Sequence, residues 1–102
     1  MSMKYNIPIE NIAVMLNGNN IPHVVKEIEN GSALIVQLPS GEKIDAICSS
    51  SSWGGSRGLL EIQGGVTEAE GICGDIFGGL SEEEVFKRFK YCYENNTRIY
   101  KK

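Results

Sequence analysis

The chain has little histidine, cysteine or proline and no long apolar run, and each shortage narrows what it can be. Its single histidine, His23, and its three cysteines, Cys48, Cys73 and Cys92, form no C-x-x-C pair and no zinc-ligand spacing. Three scattered cysteines do not make a disulfide framework, so reduced thiols are expected, with Cys48 and Cys92 as small buried hydrophobes. No apolar run reaches the roughly 18 residues that span a bilayer, and the N-terminus lacks the charged, apolar and small-residue order of a secretory signal. The expected location is therefore the cytoplasm, with no membrane partner. Basic residues are scarce over most of the length. Residues 1–86 hold 4 basic and 12 acidic side chains and residues 87–102 hold 6 and 1, within a net charge of -3. A duplex-binding protein needs a wide Lys/Arg stripe to release counterions from many phosphates, so duplex nucleic acid is not an expected partner.

The 102 residues, 41% hydrophobic and 23% charged, suit one folded domain over the whole chain. Met1 to Tyr5 reads as a flexible lead. From Asn6 to Asn17, Ile9, Ile12, Ala13 and Leu16 recur at helical spacing, Pro8 suits a first turn, and Gly18 offers a left-handed stop. His23 to Glu29 is a strand, and Asn30-Gly31 is the strongest short hairpin signal in the chain. The run Ala33 to Leu38 returns with Leu34, Val36 and Leu38 on one face, and Pro39-Ser40-Gly41 reverses it again. A third strand places Ile44, Ala46 and Cys48 inward and Lys43 and Asp45 outward, and a fourth at Leu59 to Gln63 places Leu60 and Ile62 inward.

Nine of the 12 glycines lie between Gly54 and Gly79, and residues 64–79 read as a long glycine-rich loop with room for a short strand at Ile72 or Ile76. The last helix is strongly marked. Ser81 is the N-cap, Glu84 its capping-box partner, Leu80 and Val85 the flanking staple, and Val85, Phe86, Phe89, Cys92 and Tyr93 the apolar stripe. Lys87, Arg88 and Lys90 follow Glu82, Glu83 and Glu84, an order that complements the helix dipole and allows pairs such as Glu83 with Lys87. Asn95-Asn96 ends the helix, and Thr97 to Tyr100 suggests a short edge strand. The expected fold is α+β: a helix, a four-stranded, mainly antiparallel sheet, and a C-terminal helix packed on the sheet.

Chemistry concentrates in Ser49 to Gly58, which joins five serines, the only tryptophan, three glycines and an arginine between two apolar strands. Ser51, Ser52, Trp53, Gly54, Gly55, Ser56 and Arg57 are the candidate ligand residues. Trp53 offers a flat stacking face, Arg57 a fork for phosphate or carboxylate, and the N–H groups of Gly54, Gly55 and Ser56 an anion cradle. The structural alternative is a polar connection in which Trp53 caps the core and Arg57 is solvated or pairs with Glu61. Neither phosphate-loop glycine motif is present, and Gly54-Gly55-Ser56-Arg57-Gly58 lacks the spacing of a nucleophile elbow. Asp45, Glu61, Glu68, Glu70 and Asp75 match no calcium or zinc pattern, so no catalytic residue, metal or cofactor is expected.

Gly58-Leu59-Leu60-Glu61-Ile62 followed by Gly78-Gly79-Leu80-Ser81-Glu82-Glu83-Glu84-Val85-Phe86 resembles small accessory proteins of phages and prophages of Gram-positive bacteria. The resemblance covers roughly the last half of the chain and brings no catalytic residues. It implies an anti-defence role in the host cytoplasm. The expected function is then a non-enzymatic protein that sequesters a nucleotide-like immune signal in the Ser51 to Gly58 loop, with a homo-oligomer placing two loops across one ligand. The alternative is a protein-binding inhibitor of a host defence effector such as a CRISPR nuclease, in which the acidic body mimics nucleic-acid charge or the aromatic helix docks on the host protein, sensitive to charge reversal at Glu68, Glu70 and Asp75 and indifferent to Trp53→Ala.

Overall fold

The computed structural model describes residues 3–71 and 75–101; Met1, Ser2, Ile72, Cys73, Gly74 and Lys102 lie outside the described residues. Among the described residues, helix α1 (Met3–Gly18) leads into strands β1 (Val24–Ile28), β2 (Gly31–Gln37), β3 (Lys43–Ser49), β4 (Leu60–Gln63) and β5 (Ile76–Leu80), and helix α2 (Glu82–Asn95) follows. The strands form one antiparallel sheet in the order β1-β2-β3-β4-β5, so each neighbour in sequence is a neighbour in space. Both helices pack on the sheet and on each other. No described helix is long and apolar enough to cross a membrane.

Period-2 patterning assigns the faces as expected. Leu34, Ala46 and Ile62 form one cross-strand row, with Val36 opposite Ile44 in the next, and all five are buried against the helices. Ile9, Ile12 and Leu16 from α1 and Val85, Phe89 and Cys92 from α2 complete the core. Helix α1 starts at Met3, earlier than its periodicity suggests. Tyr5 packs against the core, and the Ser32 hydroxyl donates to Asn6 Oδ1, which ties the first turn to β2. Pro8 sits inside the helix, where its missing N–H removes one backbone bond.

The first hairpin turns at Glu29-Asn30, with Ile28 opposite Gly31 and Asn30 at φ 61°. Gly31 lies at the start of β2 rather than in the turn, and glycine is required there because a Cβ would lie 2.2 Å from the Cys48 carbonyl oxygen. The main correction is the fifth strand, which occupies the end of the expected loop. Leu60 faces Leu80 while Ile62 faces Phe77, so β5 carries an extra residue, with Gly79 at φ 75°. That bulge breaks the alternation by which strands are read from sequence. Conversely, Thr97 to Tyr100 forms no strand: Ile99 makes one parallel bridge to Val66.

Candidate binding surface

The connection from β3 to β4 is tied to itself before it reaches solvent. Ser49 Oγ accepts the N–H groups of Ser51 and Ser52 at 3.3 and 3.0 Å, while the Ser49 N–H donates to Ser52 Oγ at 2.9 Å. The Ser52 hydroxyl donates back to the Ser49 carbonyl at 3.1 Å. A 3-10 turn over Gly55–Arg57 follows, flanked by Gly54 at φ 89° and Gly58 at φ 74°. The Gly54 carbonyl accepts from both Arg57 N–H and Leu59 N–H at 3.0 Å. Gly55 is buried so tightly that a Cβ would stand 1.9 Å from the Ser49 carbonyl oxygen. Its role is close packing of backbone.

Trp53 is held from both ends. Its N–H donates to Glu61 Oε1 at 2.8 Å, and its carbonyl accepts the Gly79 N–H at 3.3 Å. Glycine at 78 leaves the shelf on which its side chain lies, since a Cβ there would be 2.6 Å from Trp53 Cβ and Cγ. The ring meets Phe77 edge-on, centroids 6.1 Å apart, yet Trp53 remains 57% exposed. Ser51, Ser56 and Arg57 are also exposed, and Ser52 and Gly54 are half-buried. Among the described residues, Arg57 forms no ion pair; Glu61, its expected alternative partner, holds the Trp53 backbone.

The structure thus brings the candidate residues onto one pinned loop and turns one of the three expected cradle amides, that of Gly55, inward. The Gly55 N–H donates to the Ser52 carbonyl at 3.0 Å, and the amides of Ser51, Ser52 and Trp53 are also bonded within the protein. Toward a partner the loop presents an exposed indole and an exposed guanidinium.

Patterning of charge alone misses Arg88. It is 5% exposed, and its guanidinium donates to both oxygens of Glu70 at 2.7 and 2.8 Å and to the Gly65 carbonyl at 3.0 Å. The guanidinium carbon lies 5.5 Å from the Phe77 ring centre and 5.0 Å from that of Tyr100. Arg88 thus finds its carboxylate outside its own helix. A signal was present: Val85, Arg88, Phe89 and Cys92 stand at i, i+3, i+4 and i+7, which puts the arginine on the apolar stripe. The Arg88 hydrogen bonds hold the Glu70 carboxyl down at about 2, against the opposing effect of burial.

Arg98 pairs similarly with Asp75 and donates to the Lys43 carbonyl. Of the three acids in the alternative reading, Glu70 and Asp75 are thus neutralised by arginines, and Glu68 is exposed. Burial pushes the Cys92 thiol up to about 11, with Arg88 and Arg98 opposing, so it is not a nucleophile at neutral pH.

A scan against protein-family models finds no match, and searches of curated proteins and of solved structures also find none.

Proposed function

We propose that the protein is a non-catalytic binding module that docks on a larger partner through the Ser49–Gly58 loop, with Trp53 as apolar anchor and Arg57 as its charged neighbour. One observation carries this: Trp53 is 57% exposed although its backbone and one side of its side chain are fixed. An indole ordered before binding loses little entropy on docking, and tryptophan and arginine are the residue types that dominate interface energetics. Neither group transfers protons near neutral pH, so the loop is suited to holding a partner without turnover. The resemblance to phage accessory proteins makes a host defence effector the partner of choice, inhibited by occupation of its surface.

A second reading, sequestration of a nucleotide-like anion, is favoured by an indole and a guanidinium on one short loop. Trp53 is the only tryptophan, so its fluorescence reports stacking directly. The test combines titration with cyclic and linear nucleotides and capture of host protein by the wild type, Trp53→Ala and Arg57→Ala. The expected result is unchanged fluorescence with nucleotides and a captured protein lost by both variants. Nucleotide quenching that disappears in Arg57→Ala transfers the function to sequestration. Capture unaffected by either substitution overturns the assignment of the loop.

A further inference from the structure

We propose a second, separate binding site on the open face of the sheet, for a small molecule that joins one anionic head to a flat apolar body. Leu34 and Val36 point into the core, so Ile35 and Gln37, between and beyond them on β2, occupy the opposite face. Register places Val24 of β1 beside Ile35 and Lys43 of β3 beside Gln37, while Lys26 lies two residues along β1 from Val24. Together with His23, these side chains line a cavity of about 380 Å³. That volume falls in the range of roughly 300 to 1,000 Å³ typical of small-molecule sites.

The charge of this cavity sets it apart. Residues 1–86 contain only 4 lysines and arginines, and Lys26 and Lys43 both line this one hollow together with the chain's only histidine. Among the described residues, no carboxylate lines it. Three other surface hollows each include a glutamate: Glu84 beside Arg88 and Tyr100, Glu68 beside Ile99, and Glu83 with Glu84 beside Phe86. On a protein of net charge -3, a cation-rimmed hollow is a local reversal of sign, where an anion is drawn in.

Ile35 and Val24 supply the apolar floor and Gln37 a neutral polar group at the Lys43 end. His23 is anchored at its rim by Nδ1, 2.9 Å from the Ile21 carbonyl; the carbonyl accepts, so Nδ1 carries the proton. Asp45, opposite Ile35 on β3, is the nearest carboxylate by register and does not line the cavity; burial raises its carboxyl above the usual range, opposed first by Arg98 and least by Lys26.

A nucleoside monophosphate and an aryl carboxylate share the required chemistry. Adenosine monophosphate and benzoate are therefore titrated into labelled protein while the Ile35 and Val24 methyl resonances are followed, with inorganic phosphate and adenosine as half-ligands. Saturable shifts with adenosine monophosphate, benzoate or both are expected, weakened at least about fivefold in Lys26→Ala and in Lys43→Ala and unchanged in Trp53→Ala. Which of the two binds identifies the head as phosphate or carboxylate. Both lysines are exposed, so unaltered thermal unfolding of the variants confirms that they fold. No saturable shift up to about 10 mM, binding of a half-ligand as tight as the whole, or shifts indifferent to both lysine substitutions overturns the site. Because Trp53 is distant in role, failure here leaves the loop's docking function untouched, and failure of the loop leaves this cavity standing.

Discussion

Arg88 shows what one side chain can organise. A buried guanidinium is stable only with its donors satisfied, and here a bidentate carboxylate, a carbonyl and two ring faces surround it. Removing it strands Glu70, so Arg88→Ala is expected to cost about 3 kcal/mol in urea unfolding. Arg88→Lys should not restore that stability, because an ammonium cannot make the two parallel bonds. The same pair sets the acid limb. Glu70 falls from 4.5 to about 2 on folding, a depressed carboxyl, so its stabilisation is complete above about 4.5 and is lost as pH drops toward 2. Melting temperature measured from pH 6 down to pH 3 should therefore fall more steeply in the wild type than in Glu70→Gln. Arg88 was legible from its place on the apolar stripe, but its partner was not, since Glu70 is 18 residues away in a segment without periodic pattern.

Among the elements, α2 was the most legible because its signals are local. Ser81 Oγ accepts the Glu84 N–H at 3.2 Å and Glu84 Oε1 accepts the Ser81 N–H at 3.0 Å, the reciprocal bonds that the S-x-x-E spacing implies. Ser81→Ala is expected to lower stability by about 1 kcal/mol in denaturant unfolding. Strand β5 was far less legible, since two of its five residues are glycines and a bulge shifts its register. Those glycines serve Trp53. Gly78→Ala drives a methyl into the indole, and the expected result is a loss of about 1 to 3 kcal/mol with a changed tryptophan emission spectrum. An unchanged spectrum would mean that the ring does not rest on this strand.

At the scale of the molecule, the C-terminal segment closes the fold. Tyr100 N–H bonds the Val66 carbonyl at 2.9 Å, Gly65 N–H bonds the Arg98 carbonyl at 2.7 Å, Arg98 pairs with Asp75, and the Tyr100 ring covers Arg88. Deleting residues 97–102 removes all of these at once. The expected loss is at least about 3 kcal/mol, read as an earlier cooperative transition, because the buried guanidinium loses one of its covers and Asp75 its counter-ion. The sheet's two faces divide the labour: one carries the core, the other is open and holds the cation-rimmed cavity. By itself the sequence determined both helices, the strand-facing pattern of β2 to β4 and the gathering of Trp53 and Arg57 on one loop, because spacing, caps and turns act over a few residues. Tertiary structure alone decided that β5 joins the sheet beneath Trp53 and that Arg88 meets Glu70. Each of these depends on groups far apart in the chain whose polar atoms must find partners once water is excluded.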